Sequence, residues 1–292
     1  MKERHHRFAL GRICQLFGIT RQAYYQHYWQ YESVSFEQEL IVRQVLRIRQ
    51  SHRRIGGRKL YEMLEPFMLE HQIKMGRDAL FDVLSSHNLL VKRRKRKVYT
   101  TNSFHWLHKY PNLIRDYHPL EPNQLWVSDI TYWKINLGYV YISFVTDAYS
   151  HKIVGYHVAE TLESIETIKA LKMAINQLDK PVKELIHHSD RGIQYCSSRY
   201  VQLLNENHII ISMTENGDPL ENAIAERING IIKNEYLECY EVDTLYQARQ
   251  LLDQVIQLYN DERPHMSIGS KTPSLVHQGN IKTSNNWKKT IL

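Results

Sequence analysis

Residues 124–135 read Gln-Leu-Trp-Val-Ser-Asp-Ile-Thr-Tyr-Trp-Lys-Ile, and this stretch decides the fold class of the second half of the chain. It is rich in apolar, aromatic and β-branched residues, which is typical of a buried β-strand. One carboxylate, Asp129, interrupts the apolar run, and a buried carboxylate is unfavourable unless it is paired or binds a metal ion. The stretch therefore predicts a strand that carries a functional acid.

The residues that follow alternate between strand and helix patterns. Two further strands are predicted over residues 139–146 and 153–158, and the short links containing Gly138 and Ser150 favour antiparallel hairpins. Apolar residues then recur at helical spacing from Ile165 to Ile175. A strand, a helix and a strand follow at residues 185–188, 198–207 and 209–211. This order is that of an α/β, ribonuclease-H-like mixed sheet flanked by helices, although periodicity alone does not single out that fold.

Three acidic residues occupy positions where an unpaired charge would be costly. Asp129 lies in the first strand, Asp190 ends the strand of residues 185–188, and Glu226 follows Asp190 with 35 residues between them. Three carboxylates that converge would suit divalent metal ions, and two such ions suit phosphoryl transfer. The alternatives are a turn for Asp190, because Ser-Asp-Arg-Gly is good turn sequence, and a solvent-facing polar stripe for Glu226.

The helix that carries Glu226 is predicted to begin near Pro219. Asp218 would be its N-cap residue, and Glu221 would complete a capping box. Spacings of four, three and four residues place one set of polar side chains on a single helix face. These residues are Asn222, Glu226, Asn229 and Lys233.

Positive charge is concentrated in the front part of the chain. Residues 1–117 contain 22 lysines and arginines against 10 acids, a net charge of +12. Residues 118–292 contain 16 against 21, a net charge of −5. The front part is therefore a candidate for binding nucleic acid, with an ordinary solvated basic face as the alternative.

The first 34 residues carry a helix-turn-helix pattern. Gly18 suits the turn between the two helices, and Thr20 suits the N-cap of the second helix. Arg21, Gln22 and Tyr24 would then open that second helix, which is the segment that enters a DNA groove in helix-turn-helix proteins. An ordinary helical hairpin is nearly as good an interpretation of so short a pattern.

Further helices are expected over residues 35–91, which we interpret as a helical DNA-binding domain. A run of six cations follows, and runs of this kind contact phosphates or remain solvated, without reading base sequence. The run consists of Lys92, Arg93, Arg94, Lys95, Arg96 and Lys97. We interpret residues 92–117 as a basic linker, 118–240 as a catalytic core and 241–292 as a C-terminal helical region and tail.

Several classes of protein are disfavoured by the composition. No apolar run approaches the roughly 20 residues of a membrane helix, and the polar, basic start lacks the apolar region of a signal peptide. The three cysteines are scattered, which fits a reducing cytoplasm and argues against a disulfide framework. His105 and His108 have helical spacing but no partner ligands nearby for zinc.

Four stretches together resemble one known family. Residues 126–132 read Trp-Val-Ser-Asp-Ile-Thr-Tyr, 188–195 read His-Ser-Asp-Arg-Gly-Ile-Gln-Tyr, 222–227 read Asn-Ala-Ile-Ala-Glu-Arg with Lys-Asn-Glu following at 233–235, and 259–265 read Tyr-Asn-Asp-Glu-Arg-Pro-His. They are similar to the OrfB-type subunit of insertion-sequence family three transposases, which share a D-D-E integrase core with retroviral integrases. The resemblance runs from the front helix-turn-helix to residue 276. The departures are mild: Ser128 replaces a frequent Thr, and Glu221 a frequent Asp.

The resemblance implies a chemistry and a set of partners. Asp129, Asp190 and Glu226 would bind two Mg²⁺ ions, for which Mn²⁺ can substitute, and would catalyse strand cleavage and 3′-hydroxyl strand transfer on double-stranded DNA. It also implies a homo-oligomer on DNA, located in the bacterial cytoplasm at the nucleoid. An upstream OrfA-type segment can be fused to members of the family or act as their partner. The rival interpretations are a nuclease without a joining step and a DNA-binding regulator without catalysis.

Other residues in these motifs have more than one interpretation. Lys233 is expected to contact the transposon end, with an exposed lysine as the alternative. Asn222 could orient the Glu226 carboxylate or touch DNA. Arg263 and His265 could bind DNA or pack in the core, and Asp147 is expected to start a turn rather than bind metal.

Overall fold

Four ranges of the chain are described by the computed structural model. They are residues 10–92, 106–178, 184–215 and 222–279, and within α2 the side chains of residues 30–35 are not described. The chain contains two compact units. The first comprises residues 1–50 and 63–90, and the second comprises residues 51–62 and 91–292.

The helices of the front part follow the predicted order. They are α1 (Leu10–Leu16), α2 (Arg21–Ser51), α3 (Gly57–Glu70) and α4 (Arg77–Ser86). Gly18 has a positive φ of 67° in the turn after α1, and the Thr20 hydroxyl accepts a hydrogen bond of 3.0 Å from the Ala23 N–H. The predicted turn and N-cap are therefore confirmed.

Helix α2 is longer than the sequence pattern indicated. It runs for 31 residues, because no glycine or proline interrupts residues 21–51. The predicted division between residues 34 and 35 consequently falls inside one continuous helix. In the first unit, the buried apolar side chains are Ile13, Cys14, Ile41, Val45, Leu64, Met68, Ile73, Leu80, Val83 and Leu84.

A five-stranded mixed sheet forms the centre of the second unit. Its strands are β1 (Leu125–Ile135), β2 (Gly138–Asp147), β3 (Ile153–Ala159), β4 (Ile186–Ser189) and β5 (Ile210–Met213), in the spatial order β3-β2-β1-β4-β5. The first three pair antiparallel, whereas β4 is parallel to both β1 and β5. The predicted ribonuclease-H-like order is confirmed.

Helices cover both faces of this sheet. They are α5 (Ser164–Ile175), α6 (Ser198–Glu206), α7 (Ala223–Ile231), α8 (Leu245–Asp261) and the short α9 (Pro273–His277). One apolar cluster joins the sheet to α7 and α8 through Trp133, Val140, Phe144, Ile228, Leu252 and Val255. Another joins it to α5 and α6 through Trp126, Val145, Ile168, Leu171, Tyr200 and Leu204. The strands β1 and β4 are thus held between layers of helices.

Helix α5 approaches β3 so closely that only glycine fits at the contact. A Cβ atom on Gly155 would lie 2.2 Å from the backbone oxygen of Ala170 and 2.9 Å from the Cβ of Ala174. Because Gly155 has no side chain, α5 can pack this closely against β3.

The second half of the predicted basic linker packs against the sheet. The Leu113 N–H donates a hydrogen bond of 2.9 Å to the Ser212 hydroxyl, and the Met213 N–H donates one of 3.2 Å to the Pro111 carbonyl. Ile114 and Tyr117 also pack against a small apolar cluster that contains residues of β1 and β4. Residues 106–117 are thus part of the second unit, and residues 93–105 lie outside the described ranges.

The C-terminal region completes the core. Thr244 and Gln247 form a capping box at the start of α8, and Asn260 near its end exchanges two hydrogen bonds of 3.0 Å with the backbone of Ile153 at the start of β3. Residues 280–292 are outside the described ranges. Across the described part of the chain, no helix is long and apolar enough to cross a membrane.

Candidate active site

Asp129 and Asp190 occupy equivalent places on two neighbouring parallel strands. The register pairs Ser128 of β1 with Ser189 of β4, Asp129 is the next residue of β1, and Asp190 directly follows the end of β4. Neighbouring strands lie about 4.8 Å apart, so the two acidic residues lie side by side where β4 ends in the middle of the sheet. Sequence alone predicted both acids, and the parallel pairing supplies their proximity.

Both carboxylate oxygens of Asp129 accept hydrogen bonds. Oδ1 accepts one of 2.8 Å from the Ile130 N–H, and Oδ2 accepts one of 2.7 Å from the Asn229 side-chain amide. Burial and the charge of Asp190, followed by that of Glu226, nevertheless raise the pKa of Asp129 to about 8, and the two hydrogen bonds only partly oppose them. Both other predicted acids therefore act electrostatically on Asp129.

Asp190 combines its place beside Asp129 with a role in the turn after β4. Its Oδ1 accepts a hydrogen bond of 3.0 Å from the Gly192 N–H, which is the turn geometry expected of a Ser-Asp-Arg-Gly sequence. The turn interpretation and the position beside Asp129 are thus compatible, because the turn fixes the direction of the carboxylate.

Glu226 lies in the first turn of α7 and is exposed. The described part of this helix begins at Ala223 rather than near Pro219, and Asn222 precedes it with non-helical angles of φ −128° and ψ 30°. The predicted capping residues Asp218, Pro219 and Glu221 lie outside the described residues.

Two members of the polar stripe of α7, Asn222 and Asn229, face β1, whereas Glu226 faces solvent. Asn222 is buried, and its amide donates a hydrogen bond of 3.0 Å to the Ser128 carbonyl. Asn229, three residues after Glu226, is also buried and bonds to Asp129. This hydrogen bond attaches the start of α7 to β1, and the DNA contact of Asn222 stays a prediction.

Lys233 lies beyond the end of α7, in a π-helical segment that spans Ile232–Tyr236. Its ammonium group is 3.8 Å from the centre of the Tyr132 ring of β1, a cation–π contact. The ring is three residues from Asp129 along the same strand. Lys233 is half-buried, so the alternative of a freely exposed lysine does not describe it.

The remaining motif residues have structural contacts. Asp147 ends β2 and accepts hydrogen bonds from the Ser150 N–H and the Asn123 N–H, both of 2.7 Å, so the predicted turn is confirmed. Arg263 and His265 are both buried, and Arg263 forms an ion pair of 2.8 Å with Glu235. Of the two alternatives for Arg263 and His265, the structure therefore supports packing in the core.

The predicted DNA-contacting residues outside the core are placed only in part. Arg21 and Gln22 are exposed at the start of α2, and Tyr24 is half-buried and stacks on Tyr28, with 6.4 Å between the ring centres. Lys92 is exposed. The other cations of the run, residues 93–97, lie outside the described ranges.

Two functional contacts were not anticipated from sequence. Asn229 was identified only as a member of the polar stripe, and its bond to Asp129 became apparent from the packing of α7 on β1. The pairing of Glu235 with Arg263 joins two of the motif regions across 28 positions of sequence. The two residues have opposite charges and both lie in motif stretches, which is the only hint of this ion pair in the sequence. The spacing does not indicate that they contact each other.

Comparisons with known proteins identify the family. Two integrase core domain models match residues 119–219 and 207–273. The chain is 34% identical over 266 residues to the "Insertion element IS600 uncharacterized 31 kDa protein" of Shigella sonnei, covering 90% of this chain and 96% of that protein. It is 29% identical over 233 residues to the "Transposase for insertion sequence element IS629" of the same organism, covering 77% of each.

A solved structure with a similar core is that of the HTLV-2 integrase catalytic core domain in complex with magnesium. Its TM-score is 0.45 and its sequence identity 24%, and the alignment covers 55% of this chain and 99% of that one.

Integrase-type cores use divalent metal ions, and the donors of this site are of the right chemical type. Carboxylate oxygens are the ligands that Mg²⁺ and Mn²⁺ prefer, and the mutual repulsion that raises the pKa of Asp129 would be relieved by a cation. Within the described ranges, no group of three or more His, Cys, Asp or Glu side chains is close enough to hold one ion. The pairing of β1 with β4 makes Asp129 and Asp190 neighbours, and the three described acids do not lie within reach of one shared ion.

The strand order and the neighbouring aspartates of β1 and the end of β4 agree with the integrase core match over residues 119–273. The alignment with the IS600 protein extends this agreement to nearly the whole chain. The chain therefore belongs to the insertion-sequence family three transposases, enzymes of DNA transposition with an integrase-like polynucleotidyl transferase core.

Proposed function

We propose that Asp129, Asp190 and Glu226 are the catalytic acids with which this transposase cleaves DNA at insertion-sequence ends and joins the freed 3′-hydroxyl to a new strand. The observation that carries the proposal is the pairing of Ser128 with Ser189, which sets the two aspartates side by side. The raised pKa of Asp129 supports it, because the charges of both other acids contribute to that rise. Perturbed carboxylates of this kind are frequent at catalytic sites.

The three acids are proposed to hold two Mg²⁺ ions, for which Mn²⁺ can substitute. When bound, such ions activate an attacking oxygen and stabilise a leaving oxygen in phosphoryl transfer. The protein's part is to orient the ligands: Ile130 and Asn229 fix the two oxygens of Asp129, and the Gly192 N–H fixes one oxygen of Asp190. Glu226, in the first turn of α7, would complete the site by a movement toward the aspartates.

Double-stranded DNA is the proposed substrate, at the transposon ends and at the target. Arg21, Gln22 and Tyr24 at the start of α2, together with the run Lys92, Arg93, Arg94, Lys95, Arg96 and Lys97, are the proposed contacts of the front part. Cations that bind phosphates release counterions, so binding through these residues should weaken steeply with salt. Lys233 is proposed to contact the transposon end beside the acids, and Asn222 to position α7.

The assembly on DNA is proposed to be a homo-oligomer, because two transposon ends have to be brought together for transposition. An OrfA-type segment, as partner or fusion, is proposed to supply additional recognition of the ends. Since the substrate is chromosomal DNA, we place the protein at the nucleoid in the bacterial cytoplasm.

The proposal is tested with Asp129→Asn, Asp190→Asn and Glu226→Gln on labelled DNA that carries the ends of the insertion sequence. Each variant should bind this DNA but lose both cleavage and strand transfer. Glu206→Gln removes an exposed carboxylate on α6 and should retain both activities, which makes it the matched control.

Two rival functions give different results in this assay. Cleavage without joining by the unmodified protein would indicate a nuclease. DNA processing that persists in Asp190→Asn would refute the catalytic assignment. Specific binding with no processing by the unmodified protein, in Mg²⁺ or Mn²⁺, would favour the regulator.

A further inference from the structure

A buried ion pair is attached to the segment that carries Lys233. Arg263 is 1% exposed, and its guanidinium donates two hydrogen bonds to the two carboxylate oxygens of Glu235, from Nε at 2.8 Å and from Nη2 at 2.9 Å. Such a bidentate pair fixes orientation as well as distance. We call this pair the Arg263–Glu235 clamp.

The remaining nitrogen of Arg263 is also engaged. Nη1 lies 2.8 Å from Nε2 of His265, and because arginine stays protonated and has no acceptor, that imidazole nitrogen must be the acceptor. Burial, with the positive charge of Arg263 next in importance, lowers the pKa of His265 well below its usual value. The histidine is therefore neutral and holds the guanidinium from the side opposite Glu235.

Glu235 remains ionised in spite of its surroundings. Burial alone would raise its pKa, but the hydrogen bonds and charge of Arg263, helped by Lys59 at 3.4 Å, lower it. A buried pair of this kind adds little net stability, whereas removing one partner is costly because the other charge is left buried. The function of such a buried ion pair is therefore better explained by the geometry that it fixes than by added stability.

The geometry that it fixes is that of the π-helical segment Ile232–Tyr236. Glu235 is fixed by the clamp, and Lys233 is two residues earlier in the same segment, with its ammonium group 3.8 Å from the Tyr132 ring centre. Single π turns within helices are frequent at functional sites. Anchoring Glu235 sets the rotation of this widened turn, and that rotation determines where Lys233 points.

We infer that Arg263 and Glu235 are positioning residues that hold the π-helical segment so that Lys233 meets the transposon end beside Asp129. Neither residue of the clamp needs to touch DNA, and a nearly fully buried Arg263 is unsuited to do so. This inference rests on the DNA contact of Lys233 given under the proposed function. A double-mutant cycle with Lys233 distinguishes the positioning of Lys233 by the Arg263–Glu235 clamp from a purely structural role of the clamp.

The test uses the full chain and the variants Arg263→Lys, Lys233→Ala and their combination. Arg263→Lys keeps the charge but loses the bidentate geometry. Alone, it should raise the concentration of end DNA that half-saturates cleavage by about tenfold, and in the Lys233→Ala background by less than about twofold, because residues that act as a unit are not additive. Equal fold-changes in both backgrounds, or no change on Lys233→Ala alone, would overturn the inference.

Two further variants separate positioning from general loss of stability. Glu235→Gln keeps the shape of the acid and one acceptor oxygen, and should show the same dependence on Lys233 if Arg263→Lys fails to fold. Leu171→Val, in the buried core between α5 and the sheet, is expected to lower the thermal stability without changing half-saturation. Half-saturation that follows the thermal stability of all these variants would contradict the clamp. The failure of the catalytic assignment is recognised independently, by cleavage that persists in Asp129→Asn.

Discussion

The side-chain amide of Asn229 donates a hydrogen bond of 2.7 Å to Oδ2 of Asp129 and thereby connects the helix of one proposed catalytic acid to the strand of another. Asn229 is three residues from Glu226 on α7, so the contact constrains the distance of that helix from β1. With the Ile130 N–H on Oδ1, it leaves Asp129 little rotational freedom. A ligand held in this way is pre-organised for a cation.

Asn229→Ala should therefore weaken the response of the enzyme to metal. Loss of an orienting partner typically costs 10–100-fold in metal affinity or activity, so cleavage should require about tenfold or more Mg²⁺. A titration of cleavage against Mg²⁺ measures this change. Asn207→Ala is the control, since the Asn207 amide bonds to the Leu203 carbonyl of α6, outside the site. An unchanged Mg²⁺ requirement would show that Asn229 does not orient Asp129 for metal binding.

Asp129→Asn should stabilise the metal-free protein at alkaline pH while it abolishes catalysis. The pKa of Asp129 is about 8 in the folded chain against about 3.9 in an unfolded one. The free energy of unfolding of the wild type therefore falls as pH rises between these two values, because only the unfolded state readily ionises there. The substitution removes this loss, and the Asn229 amide can turn to accept from the new side chain.

Urea unfolding in a chelating buffer at pH 5 and pH 8.5 checks this prediction. The advantage of Asp129→Asn over wild type should be larger at pH 8.5, by about 2 kcal/mol or more. Glu206→Gln, which alters an exposed acid, should show no such pH-dependent gain. If the free energies of unfolding of wild type and Asp129→Asn changed equally between pH 5 and pH 8.5, the surroundings of Asp129 would not destabilise its ionised carboxylate.

Buried histidines should make the protein sensitive to acid. Burial lowers the pKa of His151 to about 4 and that of His187 to about 3. Unfolded histidines bind a proton near pH 6.5, so the contribution of these histidines to the free energy of unfolding should be constant above that pH and fall below it, until the folded pKa is reached. The opposite contribution of Asp129 is common to the wild type and the histidine variants, so it cancels when their slopes are compared. Each buried histidine contributes on the order of 1 kcal/mol per pH unit in this window.

The slope of unfolding free energy between pH 6.5 and 4.5 measures this effect. His151→Gln should flatten the slope, whereas His118→Gln, at an exposed position, should leave it unchanged. An identical slope for wild type and His151→Gln would show that this imidazole is accessible to protons in the folded protein.

Gly155→Ala should be strongly destabilising, because the added carbon would lie 2.2 Å from the Ala170 carbonyl oxygen. Separation of α5 from β3 to relieve the clash is expected to cost about 2–4 kcal/mol. Gly76→Ala is the matched control, since nothing lies within 4 Å of its added carbon. Comparison of their urea midpoints tests the close approach, and equal midpoints would contradict it.

The strands and their succession along the chain could be predicted because their signals are local. Residues 124–135 are predicted as the first strand, and β1 spans Leu125–Ile135. Trp126, Val127 and Trp133 are buried, as the apolar pattern predicts, whereas Ile130 and Tyr132 are half-buried. The acids at Asp129 and Asp190 were identifiable for the same reason, since each is a charge at the middle or end of such a run.

The start of α7 and the path beyond its end could not be predicted, because distant residues determine both. The buried amide of Asn222 bonds to the Ser128 carbonyl of β1, which a local capping rule does not anticipate. Beyond Ile231 the helix widens into a π turn, where Glu235 pairs with Arg263 from the far end of α8. Sequence spacing assumed a regular helix over this whole stretch.

The central claim is that Asp129, Asp190 and Glu226 hold divalent ions together when DNA is bound. A crystal structure of the full chain with its own transposon-end DNA and Mn²⁺, with ions located by anomalous scattering, tests it most directly. Mn²⁺ peaks should lie between Asp129 and Asp190, and Glu226 should coordinate Mn²⁺ beside the DNA strand. Mn²⁺ sites elsewhere, or a DNA-bound complex in which Glu226 stays out of reach of the aspartates, would contradict it.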